Sequence, residues 1–404
     1  MTTAGTGGGA LMRAAPGPEE IRRTNLGTLL QYVHLHGATS RAELTTRLGL
    51  NRSTIGTLTA ELATAGLVSE AVPRGIRRAG RPSLVVRPES ARVYAYALSI
   101  EVDQLRAARV GLGGTVLDRR VCDRPRGLPL PGTVAPLARL IHEMHREVDD
   151  DARYVGTGVA VAGRYRGDDG TVRLVPTDGW GAELGAALGS VGRLTVGNHA
   201  DVAALVEHSR GAAVGCGNVV YLHGDAGIGA GIIAADRRLA GYGGYGGELG
   251  HMVVNPYGRE CGCGSRGCWE TEIGESALLR HAGRAGERGR EAVLSVIRSA
   301  MHGDRQAQYA VRRVGEWIGF GVGNLANIFN PEAVIFGGTL RDVYLVAAAQ
   351  IRSRMNAVAL PACREHIRLR TPGLGPDAVL IGAAELAFAR LLDDPLTVLT
   401  ARAL

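Results

Sequence analysis

Three cysteines fall within eight residues, Cys261, Cys263 and Cys268 in the run CGCGSRGC, and His251 stands ten residues upstream. The glycines between the thiols let the backbone fold back so that the sulfurs converge. Three thiolates need a fourth ligand for a tetrahedral ion, and His251 is within loop reach. A Cys3His set is closed, so the metal it implies is structural rather than catalytic. An iron–sulfur centre or a redox-active pair is the alternative. The tight Cys-x-Cys with a nearby histidine favours Zn2+. The first twenty residues lack the charged and apolar regions of an export signal, and no apolar run approaches ~18 residues. A cytoplasmic chain without disulfides or a membrane span is therefore expected, with Cys122, Cys216 and Cys363 as isolated thiols.

The charge is uneven. All 46 basic residues of the 404-residue chain are arginine, and the formal net charge is +7. Residues 1–90 hold 11 Arg against 6 acids, whereas residues 91–404 hold 35 against 33. A GC-rich gene explains arginine in place of lysine but not this asymmetry. A basic N-terminal piece on a nearly neutral body points to a nucleic-acid module. The absence of lysine excludes Walker-type phosphate loops and Schiff-base chemistry.

Residues 1–20, rich in Gly, Ala and Pro, read as a disordered tail. A helical pattern runs from about Thr24 to His36, with Leu26, Leu29, Leu30 and Val33 on one stripe. Ser40 is placed to cap a second helix, Arg41 to Leu48, with Glu43 at its third position. After Gly49, Asn51 is placed to cap a third helix from Arg52 to about Thr64. Two helices joined by a tight turn make a helix-turn-helix, whose second helix enters the major groove N-terminus first. That puts Arg52, Ser53, Thr54 and Thr57 at the bases. The stretch VPRGIRRAGRPSLVVRP, Val72–Pro88, has five Arg and no acid. Between two short strands it reads as the wing of a winged helix, with Arg77, Arg78 and Arg81 offered to a minor groove. The expected module spans residues 21–89. From Val93 strand-like runs alternate with helices, which is α/β architecture long enough for two lobes around a cleft.

The segments GELGH, Gly247–His251, and CGCGSRGCWE, Cys261–Glu270, resemble the signature of the ROK family (repressors, open reading frames and sugar kinases). Ala226–Ile233 and Asn327–Gly338 also resemble ROK segments. The resemblance covers about residues 92–393. It implies a two-lobed actin-like, ribonuclease-H-like α/β domain that binds an effector and oligomerises. It implies His251 as a zinc ligand facing a sugar, with Glu248 and Glu270 on sugar hydroxyls. Carboxylates suit that role because they accept paired hydrogen bonds. Asn198 and His199 complete the expected effector set.

The kinases of this family use a Gly-Gly-Thr turn after the first strand, a Gly-Thr-Gly turn, and a catalytic Asp that opens a helix. Here the first is Ser99–Gln104, without glycine, and the second is Asp225-Ala226-Gly227. The Asp position is His199, and Asp201 is expected on a different face of the helix. The family's Pro-Gly turn and Asn-Leu-Gly-Trp segment read Ala162-Gly163 and Thr177–Trp180, which leaves the ligand open: a modified sugar, a sugar phosphate or another molecule. The reading is a non-enzymatic, homodimeric or homotetrameric regulator, a repressor in type, that binds double-stranded operator DNA and needs no ATP. The competing readings are an active sugar kinase with a DNA-binding extension and a regulator that has lost ligand control.

Overall fold

The computed structural model describes residues 17–72, 83–128, 131–162 and 194–400. Helix α1 spans Pro18–His36, six residues longer at its start than the apolar stripe predicted, and so takes in the last three residues assigned to the tail. Proline in the first turn with Glu19 and Glu20 beside it suits a helix amino end, where no amide partner is lost and the dipole favours acids. Helices α2, Arg41–Leu48, and α3, Arg52–Thr64, follow. Ser40 Oγ accepts from the Glu43 amide at 3.1 Å, and Asn51 Oδ1 accepts from the Thr54 amide at 2.8 Å. Gly49 turns the chain between them with φ +66°.

Strands β1, Thr39–Ser40, β2, Val68–Ala71, and β3, Val85–Pro88, form a small sheet in the order β1-β3-β2. Arg41 of α2 pairs with Glu70 of β2. Three helices and a β2–β3 hairpin are the frame expected of a winged helix. The expected wing, with Arg77, Arg78 and Arg81, lies outside the described residues.

The first lobe holds β4, Val93–Ile100, β5, Gln104–Gly111, β6, Val116–Asp123, β7, Arg153–Val161, and β8, Leu194–Asn198. Their order is β6-β5-β4-β7-β8, antiparallel through β6, β5 and β4 and parallel through β4, β7 and β8. Helix α4 is Pro131–His145 and α5 is His199–Arg210. The second lobe holds β9, Val219–Gly224, β10, Ile228–Ala234, and β11, Arg237–Arg238. It continues with α6, Glu270–Ile273, α7, Glu275–His281, α8, Arg290–Met301, and α9, Arg305–Phe329. Then come β12, Ala333–Gly338, α10, Thr339–Val358, α11, Pro361–Arg364, and β13, Arg368–Arg370.

Its sheet, β11-β10-β9-β12-β13, repeats the topology of the first: an antiparallel trio joined to a parallel pair. This repeat is the two-lobed α/β fold anticipated above. The edge strand β6 has no counterpart among the strands read from sequence. Its residues Val-Leu-Asp-Arg-Arg-Val-Cys-Asp put charge in the middle, as exposed edges do. No helix among the described residues is long and apolar enough to cross a membrane.

The chain returns from the second lobe to the first through α12, Ala378–Asp393, followed by α13, Pro395–Thr400. Helix α12 lies so close to β7 that a Cβ at Gly158 would fall 1.7 Å from the Ala383 carbonyl oxygen. Helix α1 rests on the far end of α12, where a Cβ at Gly27 would lie 2.6 Å from the Leu392 carbonyl oxygen.

A buried polar bolt completes this junction. His34 Nδ1 accepts from the Gly113 amide at 2.8 Å, which assigns the ring proton to Nε2. Nε2 then donates to the Glu385 carboxylate at 2.9 Å. Arg210, the last residue of α5, donates from Nε to Glu385 at 2.9 Å and from Nη1 to the His34 carbonyl at 2.7 Å and the Gly113 carbonyl at 3.2 Å.

Burial raises the Glu385 pKa, but the His34 hydrogen bond and the Arg210 guanidinium more than offset it, and the carboxyl lies below its ordinary range. A depressed folded-state pKa gives stability that is present above the unfolded value, about 4.3, and lost as pH falls through the folded value. The Glu385→Gln variant is expected to be less stable at neutral pH by about 3 kcal/mol, since it leaves Arg210 without its counter-charge. The difference should shrink in acid, and urea unfolding midpoints that stay parallel from neutral to acid pH would contradict it.

Candidate functional site

The cysteine loop closes as its spacing predicts. His251 Nδ1 lies 3.7 Å from Cys261 Sγ, and Cys263 Sγ lies 3.6 Å from Cys268 Sγ. All four ligand atoms fall within 4.8 Å of one another. A tetrahedral ion with metal–sulfur bonds of about 2.3 Å spaces its ligands by about 3.8 Å, so the four donors fit a metal ion. Two antiparallel bridges, Val253 with Cys268 and Glu260 with Arg266, fold the loop back. Gly267 has φ +72°, and a Cβ there would fall 1.6 Å from the Asn255 carbonyl oxygen, so no other residue fits. Trp269, fully buried beside the last cysteine, donates its indole N–H to the Trp317 carbonyl at 2.9 Å and ties the loop to α9.

The same loop forms a wall of a cavity of about 270 Å³ between the lobes. Asn198, His199, Glu248, His251 and Glu270, the five effector candidates, all line it. Because His251 turns Nδ1 to the cysteines, Nε2 faces Glu248, 3.9 Å away. Glu270 sits between metal loop and cavity, 3.6 Å from His251 Nδ1 and 2.9 Å from Cys261 Sγ. Ala162 lines the cavity too, whereas Gly163 and Thr177–Trp180 lie outside the described residues.

Asn198 caps α5, its Oδ1 accepting from the Ala200 amide at 2.8 Å and the Asp201 amide at 3.3 Å. The first turn of α5 therefore forms the end wall. That placement corrects the expectation for Asp201. Two residues along a helix point to different sides, but a cavity that wraps the tip of a helix meets both, and Asp201 lines it with His199. Burial pushes Asp201 up to about 6, against the pull of Arg238, with which it pairs.

Sequence reasoning also missed a group behind His199. The His223 ring lies 4.4 Å from the His199 ring, and Glu101 Oε1 lies 3.7 Å from His199 Nε2. His199 is 4 % exposed, and neither of its ring nitrogens has a hydrogen-bond partner. Burial drives His223 down to about 3, so its imidazole is neutral.

The turn after β4 and the turn between β9 and β10 meet across the cleft. Asp225 Oδ2, from the turn between β9 and β10, lies 3.5 Å from the Val102 amide in the turn after β4. A carboxylate of the chain thus faces a backbone donor that the resemblance would give to a phosphate. Nearby, Arg126 of the first lobe reaches Asp103 with Nη2 at 2.7 Å and holds both oxygens of Glu275 in the second lobe at 2.9 Å. The acids of these contacts stand out in the sequence, but Asp225 and Val102, like Arg126 and Glu275, lie more than a hundred residues apart.

At the DNA-binding candidates, Arg52, Ser53 and Thr57 are exposed and Thr54 is half-buried, all in the first two turns of α3. Ser53 donates to Asn51 Oδ1 at 2.7 Å, and Thr57 to the Ser53 carbonyl at 3.1 Å.

The model of the ROK family matches residues 95–390. The chain belongs to the ROK family. It is 27% identical to the xylose repressor of Bacillus subtilis over 383 residues, covering 92% of this chain and 97% of the repressor. It is 24% identical to the N-acetylglucosamine repressor of Escherichia coli O157:H7, covering 86% and 88%. Among solved structures, a ROK family transcriptional regulator, homolog of the E. coli MLC protein, superposes with TM-score 0.74 at 25% identity over 94% of this chain and all of that one. The ROK family glucokinase from Streptomyces griseus, in complex with glucose and AMPPNP, superposes with TM-score 0.63 at 28% identity but over 73% of this chain. ROK regulators thus match the winged-helix part as well, and the kinase only the two lobes.

An acid with a raised pKa contributes stability that is present below its unfolded pKa and lost as pH rises through its folded one. For Asp201 the window is from about pH 4 to about 6. Relative to Asp201→Asn, the wild-type chain is expected to lose thermal stability across that window. A difference in melting temperature that is flat between pH 4 and 7 would contradict the buried carboxylate.

Proposed function

We propose that the chain is a sugar-responsive transcriptional repressor, with no kinase activity, whose winged helix binds operator DNA. The observation that carries this reading is helix α5. Its first turn walls the cavity, and its last residue, Arg210, grips α1 of the DNA-binding module and Glu385. Twelve residues of helix span about 18 Å, so a ligand that shifts the start of α5 moves the contact at its end. A ligand that prefers one arrangement of the junction shifts the population of winged-helix orientations.

Loss of phosphoryl transfer rests on three features together. Asp225 faces the Val102 amide, Arg126 ties Asp103 to Glu275 across the lobes, and His199 replaces the acid that would take a hydroxyl proton. The repressor names of the relatives support the same conclusion. A homodimer suits an inverted-repeat operator with half-sites about 10 bp or a multiple apart.

Arg52, Ser53, Thr54 and Thr57 are assigned to base edges and Arg77, Arg78 and Arg81 to the wing. In a gel-shift titration with upstream DNA of its own gene region, Arg81→Ala is expected to weaken binding by about 1–3 kcal/mol. A cognate sugar should release the wild-type complex. Unchanged affinity discards the wing assignment, and sugar-dependent ADP release discards the non-enzymatic reading.

The metal is read as structural Zn2+, held by His251, Cys261, Cys263 and Cys268. Its ion would pin the loop that carries Glu248 and Glu270, coupling metal, cavity and fold. Elemental analysis is expected to find about one zinc per chain, and Cys268→Ser to lose it together with sugar binding. Metal-free protein with an unchanged melting temperature refutes the structural role.

A further inference from the structure

A guanidinium bridges the two lobes. Arg126, between β6 and α4, gives its side edge to Asp103 in the turn after β4, through Nε and through Nη2 at 2.7 Å. Its end faces Glu275 at the start of α7 in the second lobe, with Nη1 on Oε1 and Nη2 on Oε2, both at 2.9 Å. The planar fork of an arginine suits two carboxylates at once, as the point charge of a lysine would not. The Glu275 side chain is 5 % exposed, so little water replaces the guanidinium if it leaves. The arm that carries Arg126 is braced as well. The Arg124 amide donates to the Asp103 carbonyl at 2.8 Å, and its guanidinium donates to the Glu101 carbonyl at 2.7 Å and the Leu128 carbonyl at 2.8 Å. Arg126 is thus set in place from within the first lobe, and little side-chain freedom is left to lose on engaging Glu275.

Each anchor stands beside a wall of the cavity. Asp103 follows Val102, which lines it from the first lobe. Glu275 follows the short helix α6, whose first residue, Glu270, lines it from the second. The Gly274 amide closes α6 on the Glu270 carbonyl at 2.9 Å, and a Cβ at Gly274 would fall 2.7 Å from the same oxygen. The step from Glu270 to Glu275 is therefore compact. A second link runs beside the clamp, since the Val102 amide and Asp225 Oδ2 face each other at 3.5 Å across the same gap. Arg126 and Glu275 themselves are not among the described residues that line the cavity.

We infer that Arg126 is a positioning residue for the effector site. By tying Asp103 to Glu275 it fixes the spacing between the Val102 wall and the Glu270 wall in the free protein. An effector then enters a cavity already formed instead of drawing the lobes together. The inference rests on the sugar-sensing reading of this same cavity. A cavity assembled in advance spares the effector the ordering of its walls. Where the clamp is broken, the formed cavity is one member of a wider population, and the apparent affinity falls by the fraction that retains it. Removing Arg126 also leaves Asp103 and Glu275 facing each other as like charges, which favours opening.

The test joins calorimetry to hydrogen exchange on the full-length, zinc-loaded chain. Glucose, mannose, galactose and xylose are titrated into the wild type, Arg126→Met, Glu275→Gln and the double variant, with melting curves confirming that each folds. A sugar that binds the wild type is expected to bind Arg126→Met about tenfold more weakly. Glu275→Gln should shift affinity in the same direction, and the double variant no further than Arg126→Met alone, because the two substitutions break one contact. In the free wild type, the amides of residues 100–104 and 270–277 should exchange slowly and change little when sugar is added. In free Arg126→Met both segments should exchange faster and recover with sugar. Should Arg126→Met not fold, Glu275→Gln carries both measurements.

Unchanged affinity in both single variants overturns the inference, and so does full additivity of their losses. It falls equally if both segments exchange fast in the free wild type and slow only with sugar, since the effector would then be closing the cleft itself. If no sugar binds the wild type, the sugar-sensing reading falls and takes the effector role of Arg126 with it, whereas a failed clamp leaves sugar binding intact.

Discussion

The close seating of α12 on the first-lobe sheet is the contact on which the rest depends. Without a side chain at Gly158, the helix backbone comes against β7, and the last helices of the chain close the first lobe. The same helix carries Glu385 and, near its end, Leu392, the two places where α1 is received. Its buried face, from Ala378 to Leu392, is apolar almost throughout. Burying its larger side chains, Val379, Leu380, Ile381, Phe388, Leu391 and Leu392, is worth about 1.5–3 kcal/mol each, so α12 is a firm seat rather than a loose tail. The DNA-binding module is held on a surface built from both ends of the chain.

Rigidity there gives the polar contacts their meaning. Arg210 bonds to three backbone carbonyls and a carboxylate across the junction, so a small displacement of α5 breaks several hydrogen bonds together. At the other end of α5, Asn198 and Asp201 belong to the helix and to the cavity at once. Trp269 anchors the cysteine loop to α9, and α5 runs from the cavity to α1.

The cleft keeps the outline of its glucokinase neighbour but carries carboxylates in two of its turns. A phosphate-binding turn works by presenting backbone N–H groups without competing acids. Here Asp225 and Glu101 stand in the two turns, and each has partners within the protein. That explains how one fold serves both the glucokinase neighbour and a chain read as a regulator.

Much of this was legible in the sequence because it is local. Ser40 and Asn51 cap the helices they were expected to cap, since a cap depends on three or four residues. The metal loop was legible for the same reason: its ligands lie within eighteen residues, and its glycines state where the chain must turn. The five effector candidates follow from motifs beside that loop and at the start of α5. The position of Asp201 was misjudged because helical periodicity describes the side of a helix and not its tip. Strand β6 was missed because an exposed edge lacks the apolar alternation that marks strands.

The sequence by itself determined the helix caps and the cluster of three cysteines and a histidine that could hold a metal ion. The tertiary structure alone decided that Asp225 faces Val102, that Arg126 joins Asp103 to Glu275, and that His34, Arg210 and Glu385 meet. Those partners are separated by up to several hundred residues, and no local propensity encodes a distance across a fold. Their meeting is set by how two sheets of the same topology and one returning helix pack, which is a property of the whole chain.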